Sequence, residues 1–375
     1  MSELDVSVIV PTLNEAANLP LLVPQVAEAL SGWSFEIIVV DDNSSDGTPG
    51  ICRRLAEQHP LTLVVRAQPK DGLGGAVLDG IRRSRGRLLV VMDADLQHPP
   101  ARIPDLLAPL ERDEADFVLG SRYVAGGRVA EKWGATRRFN SWLATLLARP
   151  FAGKVSDPMS GFFALPRAVF DRADRLMPLG YKVGLELMCK CRVRRVVEVP
   201  IHFAARAAGQ SKLTVAEQFR YLEHLSRLYD FCYPRLSPIV KFTIVTTVTW
   251  CVAILAFLLL ATRLHVRPLS ATVISYAAVI LGTAVFHGRY VRSQREFLLG
   301  AHPWRDFWLS AALEWLSVLV VAWYIARRIE GPYLVELLLI PFSTALVVRY
   351  ALRKELLLDV RGLRLDREPR RKELS

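Results

Sequence analysis

The feature that most constrains this chain is an apolar run that ends in acids: Leu88-Leu89-Val90-Val91-Met92, followed by Asp93-Ala94-Asp95-Leu96-Gln97-His98-Pro99-Pro100. Five apolar residues without polar alternation read as a strand covered on both faces, which a mostly parallel α/β sheet provides and a half-exposed sheet does not. The carboxyl end of that strand delivers two carboxylates and an amide to one spot. Hard oxygen donors at Asp93, Asp95 and Gln97 suit Mg²⁺ or Mn²⁺, and a diphosphate fills the coordination positions that a few protein oxygens leave open. A strand end with solvated acids explains an isolated Asp-x-Asp equally well, so the remainder of the chain decides between the two.

The first half of the sequence alternates strand and helix signals. Strands are predicted near residues 6–10, 35–40, 61–65, 88–92 and 117–119, with amphipathic helices between them, the pattern of a doubly wound sheet. Pro11-Thr12-Leu13-Asn14-Glu15 closes the first strand and Asp41-Asp42-Asn43-Ser44-Ser45-Asp46-Gly47-Thr48 closes the second. Both therefore fall on the edge where open α/β sheets bind ligands. Gly72-Leu73-Gly74-Gly75-Ala76 lacks the third spaced glycine of a dinucleotide fingerprint, and no Gly-Lys-Ser/Thr phosphate loop is present. The glycines read instead as a turn opening a helix whose amino end can face a phosphate.

The second half belongs to another solvent. Residues 242–261 and 269–286 carry no charge over 20 and 18 positions, long enough to cross a hydrocarbon core as helices. Weaker spans are predicted at 307–326, with Glu314 inside, and at 333–348, with Glu336 and Pro341 inside. Arg289, Arg292, Arg295 and Arg305 separate the second and third spans, and nine Lys or Arg follow residue 348. The positive-inside rule then sets the amino-terminal domain, that loop and the tail on the cytoplasmic side. The net charge of +11 suggests nucleic acid only until its distribution is considered. Basic residues cluster beside the spans, where anionic lipid is the nearer partner. Glu314 and Glu336 are expected to face cationic neighbours or the interface. Cys52, Cys189, Cys191, Cys232 and Cys251 contain no CxxC pair and fit a reducing compartment, with Cys189 and Cys191 packing.

Between the halves, Thr214 and Glu217 have capping-box spacing. Val215, Phe219, Leu222, Leu225 and Tyr229 recur at helical intervals beside the cations Lys212, Arg220 and Arg227. Such a helix lies in a membrane interface or packs on the soluble domain. The expected organisation is a catalytic domain over 1–210, this helix over 211–235, four transmembrane helices over 236–350 and a basic tail over 351–375.

Five ordered motifs now coincide: Pro11-Thr12-Leu13-Asn14-Glu15, Asp41-Asp42-Asn43-Ser44-Ser45-Asp46-Gly47, Asp93-Ala94-Asp95-Leu96-Gln97-His98, Gly120-Ser121-Arg122-Tyr123 and Ser160-Gly161-Phe162-Phe163. Together they resemble family 2 glycosyltransferases of GT-A fold, and within them the dolichol-phosphate or polyprenol-phosphate mannose synthases, over roughly residues 5 to 235. The four spans resemble, in pattern only, the membrane domain some members carry. The resemblance implies GDP-mannose as donor, a polyprenyl or dolichyl phosphate as acceptor, Mg²⁺ or Mn²⁺ as cofactor, a membrane location and no nucleic acid. It implies that Pro11, Glu15 and Asp42 hold the nucleoside, with Thr12, Asn14, Asp41, Gly72 and Ala94 in the same substrate-binding set. Asp93, Asp95 and Gln97 match the metal and diphosphate site. Arg122, Arg137, Arg206 and Lys212 match cations brought to the donor and lipid phosphates, so that Asp95, Arg122, Arg137 and Arg206 carry the chemistry.

A departing nucleoside diphosphate gathers negative charge, which a divalent ion and arginines stabilise. An acceptor that is already a phosphate anion needs no general base, and a single displacement would invert the anomeric carbon. Glu186 is therefore expected to be an orienting or ion-paired residue near Lys182, although relatives that glycosylate hydroxyls would use such an acid as a base. His98, before two prolines, is a rigid turn residue. A different sugar nucleotide such as UDP-glucose remains an alternative donor, since few contacts choose a base or a hexose. Two further alternatives carry less: a processive polysaccharide synthase, whose Gln-x-x-Arg-Trp motif is missing, and a lipid transporter resting on Glu314 and Glu336.

Overall fold

The computed structural model describes residues 4–69, 71–129, 135–173, 176, 182–204, 215–234, 236–293, 303–328, 339–345 and 347–348. It divides into two compact units, Met1–Cys232 and Tyr233–Ser375.

The first unit is an α/β sandwich. In chain order it runs β1 (Val6–Thr12), α1 (Leu19–Ala29), β2 (Phe35–Asp41), α2 (Thr48–Leu55), β3 (Leu61–Val65), α3 (Gly72–Arg83), β4 (Leu88–Val91), α4 (Ile103–Glu111) and β5 (Phe117–Ser121). It continues with β6 (Arg128–Val129), α5 (Ala135–Ala152), β7 (Phe163–Pro166), α6 (Arg167–Phe170), α7 (Val183–Lys190), β8 (Val196–Pro200), β9 (His202–Phe203) and α8 (Val215–Cys232). All five expected strands form. The seven-stranded sheet has the order β3-β2-β1-β4-β7-β5-β8, and β6 and β9 make a separate parallel pair. Every pairing in the large sheet is parallel except those of β7, which runs antiparallel to both β4 and β5. This is the α/β fold of GT-A type that the motifs imply.

Side-chain alternation explains why β1 and β4 carry no polar positions on either face except Ser7 and the terminal Thr12. Val6, Val8 and Val10 join Leu19, Leu22, Val26, Leu106 and Leu107 in one core, whereas Ile9, Leu89 and Val91 join Val77, Ile81, Leu185 and Leu187 in the other. Both faces are covered, so each strand residue loses its water and contributes roughly 1.5–3 kcal/mol when fully buried. Helix α8 lends Leu225 and Leu228 to the second core, and its Tyr221 hydroxyl donates to the Ala144 carbonyl on α5 at 2.7 Å. Leu222, on the same helix, is half out at 49% exposure.

The second unit contains α9 (Ser237–Leu258), a π-helical turn at Leu259–Arg263, α10 (Pro268–Ser293) and α11 (Pro303–Arg328), with further helix at 339–345. Among the described residues one helix is long and apolar enough to cross a membrane, Phe307–Arg328 with mean hydropathy 1.7; Thr247–Arg263 and Pro268–Ala284 are shorter apolar helices. Residues 333–338 and 346 of the fourth expected span lie outside those described, as do Glu336 and the tail. Glu314 is fully buried and accepts a hydrogen bond from the Tyr276 hydroxyl across α10 and α11. A carboxyl buried this deeply needs such a hydrogen bond to offset its lost hydration.

Candidate active site

The loops that follow β1, β2 and β4 meet at the carboxyl edge of the sheet because the register sets their last residues side by side. Thr12 pairs with Asp41, and Ile9 with Val91. The Thr12 hydroxyl lies 3.2 Å from the Val40 carbonyl and 3.4 Å from Asp41 Oδ1. Asp41, fully buried, accepts from the Ser44 amide at 3.0 Å and from the Ser44 hydroxyl. Asn14 adopts a left-handed φ of 57°, a conformation that asparagine tolerates better than most residues. In it, the Asn14 amide donates to Ser44 Oγ at 2.7 Å and its side-chain oxygen accepts from Ser45 N at 3.0 Å. The Glu15 amide donates to Thr48 Oγ1 at 3.0 Å, and Glu15 Oε2 accepts from Asn18 at 2.6 Å. Loop 13–16 is thereby stitched to loop 42–48, with Pro11 and Thr12 buried behind it.

Arg66, not singled out in the sequence, ties the loop after β2 to the start of α3. Its guanidinium sits 3.0 Å from Asp42 Oδ1 and donates to the Gly72 carbonyl at 3.2 Å, while its own amide donates to Asp41 O. Burial raises the Asp42 carboxyl above the usual carboxylate range, an effect that the Arg66 charge opposes. The signal was a lone arginine directly after the apolar strand 61–65. Gly72 opens α3 at φ 58° after Asp71 at φ 64°, the turn expected of the glycine cluster.

Asp93 and Asp95 follow β4 immediately. Asp95 is 8% exposed and accepts from the Gln97 amide at 3.2 Å; Gln97 is 4% exposed, and its Nε2 donates to Ala204 O at 3.1 Å. Ala94, between the acids, is buried. Asp93 is more open, its side chain 37% exposed and its Oδ2 3.7 Å from His98 Nδ1. His98 is packed between Phe162 and Phe203, with ring centroids at 5.4 and 5.3 Å, and accepts from the Asp93 amide at 3.4 Å. Burial lowers its imidazole to about 4, so the ring is neutral and acts as a wedge behind the acids. Gly161 approaches the same carboxylate so closely that an added Cβ would stand 3.1 Å from Asp93 Oδ2.

Arg122 directly follows β5, the strand beside β7. Its Nε and Nη2 donate to the two oxygens of Asp157, both at 2.7 Å, and its backbone amide donates to Asp157 Oδ2 at 3.0 Å. Asp157 is fully buried and is itself positioned by Glu198, which accepts from the Ser156 and Asp157 amides at 2.8 and 3.0 Å. Tyr123 and Phe203 stand against the guanidinium at 5.2 and 5.1 Å. Sequence reasoning missed Asp157, although it lies three residues before the quoted Ser160-Gly161 pair. Lys182, half-buried, donates to the Met159 carbonyl at 2.9 Å. Burial pulls its ammonium down to about 8, Arg122 adds to the effect, and Asp157 and Asp93 oppose it.

Glu186 is not paired with Lys182. It is fully buried on α7, its Oε1 accepts from Lys190 at 2.7 Å and its Oε2 lies 3.5 Å from His224 on α8. One helical turn brings Lys190 over Glu186, whereas Lys182 precedes the helix. Arg137 lies on α5, and nothing is described of its side chain; Arg206 and Lys212 fall outside the described residues. Among the described residues no group of three or more His, Cys, Asp or Glu is arranged to hold a metal ion. Two carboxylates with an amide form the donor set of an oxygen-seeking ion that completes its shell on substrate phosphates, as Mg²⁺ does.

Residues 7–173 match the family described as glycosyl transferase family 2. The chain is 42% identical over 243 residues to a dolichol-phosphate mannosyltransferase of Pyrococcus furiosus, covering 64% of this chain and 68% of the relative. It is similar to a dolichol-phosphate mannosyltransferase of Mycosarcoma maydis, 40% identical with 64% and 84% covered. An undecaprenyl-phosphate mannosyltransferase of Micrococcus luteus is 36% identical, with 55% and 86% covered.

Proposed function

The chain belongs to glycosyl transferase family 2, among its polyprenyl-phosphate mannosyltransferases, and on that premise we propose that it transfers mannose from GDP-mannose to a polyprenyl phosphate with inversion at the anomeric carbon. It is a glycosyltransferase, and a polyprenyl phosphate is its acceptor. The observation that carries the finer reading is the convergence, on one sheet edge, of the Asp42–Arg66 pair, the Asp93/Asp95 carboxylates and the Arg122–Asp157 pair. A nucleoside, a diphosphate and a second phosphate need those three chemistries in that neighbourhood.

In this reading Pro11, Thr12, Asn14, Glu15, Asp41, Asp42 and Gly72 accommodate the nucleoside. Asp42 accepts from it while Arg66 keeps the carboxylate charged. Asp93 and Asp95, with Gln97, hold Mg²⁺ or Mn²⁺, which when bound supplies positive charge against the leaving diphosphate. Arg122, held by Asp157 and Glu198, is preorganised and loses little side-chain freedom when a phosphate arrives. The family resemblance adds Arg137, Arg206 and Lys212 as further cations for the phosphates. The acceptor phosphate oxygen attacks the anomeric carbon as the bond to the diphosphate breaks, and no proton has to be removed. That fits a site in which Glu186 is committed to Lys190 and His224 and the neutral His98 is sealed between two phenylalanines.

The test is transfer by detergent-purified protein with Mn²⁺, offering GDP-mannose and UDP-glucose separately against a polyprenyl phosphate. Product from GDP-mannose alone, abolished by chelator and β-linked, supports the reading. Product from UDP-glucose alone replaces the sugar.

A further inference from the structure

We propose that Cys189 and Cys232 form a reversible disulfide when a hydroperoxide reaches the protein, a modification site that fastens the end of α8 to α7. Contacts between the two helices set their register. Glu186 Oε2 on α7 lies 3.5 Å from His224 Nε2 on α8. Four residues further along α7, the Lys190 ammonium stands 5.6 Å from the centroid of the Phe231 ring, which is seven residues further along α8. The helices therefore advance side by side in the same sense. Cys189 comes three residues after Glu186 and shares its face of α7. Cys232 comes four residues after Leu228 and eight after His224, both 1% exposed, and shares their face of α8. The chain neighbours of Lys190 and Phe231 on these facing sides are thus the two cysteines. Their side chains meet, the Cys189 thiol donating to the Cys232 sulfur.

Packing alone does not account for this pair. A thiol that only fills space is sealed in a core, as Cys191 is, fully buried with its sulfur 4.0 Å from the Phe170 carbonyl. Cys189 and Cys232 are half-buried, open enough for a small peroxide. The bond from Cys189 lowers the Cys232 thiol below its ordinary value against the effect of burial, and the Lys190 charge adds to the lowering. The same bond, with burial, raises Cys189. Cys232 is therefore the attacking thiolate. Its sulfur takes one peroxide oxygen as the O–O bond breaks, and the leaving alkoxide or hydroxide takes up the proton that Cys232 had released. The Cys189 sulfur then attacks the resulting sulfenic acid at Cys232: the S–S bond forms, the S–O bond breaks, and the hydroxyl leaves as water with the Cys189 proton. Two thiols thereby give two electrons to one peroxide. Cys232 is the last residue of the first unit. At the opposite end of α7, Gly184 packs so closely that an added Cβ would stand 3.3 Å from the Phe163 ring on β7. The bridge would tie the chain's exit from the unit to a helix braced against that strand, and a reducing compartment would return both thiols.

The experiment uses full-length protein in detergent: wild type, Cys189→Ser and Cys232→Ser. Each is treated with hydrogen peroxide, alkylated and digested without reduction. The expected result is a peptide linking Cys189 to Cys232 in most wild-type chains, lost on addition of dithiothreitol and absent from both variants. Dimedone should capture a sulfenic acid at Cys232 in Cys189→Ser and none at Cys189 in Cys232→Ser. Amide exchange over residues 221–232 should slow at least about threefold in the bridged wild type relative to the reduced protein. Retention of both thiols after peroxide would overturn the proposal. So would oxidation of Cys232 to sulfinic acid without a bridge, or a bridge from either cysteine to Cys191 or Cys251 in its place. A Cys189–Cys232 bridge that left exchange along α8 unchanged would also overturn it, since it would fasten nothing. None of these readouts depends on which sugar the enzyme transfers.

Discussion

At the residue scale, the site is a set of acids whose neighbours have already been chosen. Asp95→Ala is expected to lower transfer by at least about 10³-fold, since it removes an ionic ligand opposite the leaving charge. Thermal unfolding should change little, because the side chain sits at a loop and its bond from the Gln97 amide is one that water can replace; turnover near wild type would remove Asp95 from the metal site. Asp157→Ala should cost about 3–5 kcal/mol of stability on denaturant titration, because it strands a largely buried guanidinium. A loss under 1 kcal/mol would mean that water reaches Arg122. His98 sets a pH dependence of definite sign. Its folded value near 4 lies below the unfolded value of about 6.5, so the unfolded chain takes up the proton first. The associated stability is complete above about pH 6.5 and is lost toward pH 4, by up to about 1.4 kcal/mol per pH unit. His98→Gln should flatten that slope between pH 6.5 and 4.5, and parallel slopes would assign it to another group. Asp93, Asp95 and Arg122 were legible because strand, turn and acid stand contiguous in sequence. Arg66, Asp157 and Lys182 were not, because each acts through a partner 17 or more positions away, Asp157 and Lys182 from flanking loops: Arg66 on Asp42, Asp157 on Arg122, Lys182 on Met159.

At the scale of elements, β1 to β5 announced themselves through apolar runs ending in turn formers. β7 and β8 did not: β7 is four residues long and β8 five, too short for a strand period to stand out. Glu186 is ion-paired as expected, but on α7, which begins at Val183, its partner is Lys190 one turn on rather than a residue before the helix. Helix α8 meets the catalytic unit through Leu225 and Leu228, at 5% and 1% exposure. Leu228→Ala should therefore destabilise that unit by about 2–5 kcal/mol, read as a lowered denaturation midpoint. Leu222→Ala, at a half-exposed position, should cost under about 1 kcal/mol; equal costs would mean that α8 buries a different face.

At the scale of the molecule, a sugar-nucleotide enzyme is joined in one chain to a helical unit that exposes Leu309, Leu313, Leu316 and Val320 along α11. Arg327 and Arg328 close that helix over Trp323 and Tyr324, at 4.3 and 5.8 Å, the aromatic and cationic edge that suits a lipid headgroup layer. The full-length protein is expected to stay in the membrane pellet after alkaline carbonate washing; release into the supernatant would reduce the helices to a peripheral anchor. Within the catalytic unit, the antiparallel β7 has a wider consequence. Phe163 pairs with Val91 on one side and with Leu119 on the other, so the strand that delivers the acids and the strand that delivers Arg122 are gauged against the same peptide. In the proposed reading, the span between the leaving and the arriving phosphate is thus dimensioned by a backbone ruler rather than by flexible side chains, and a chain built this way can exchange its nucleoside or its lipid at the loops while the length of the reaction itself stays fixed.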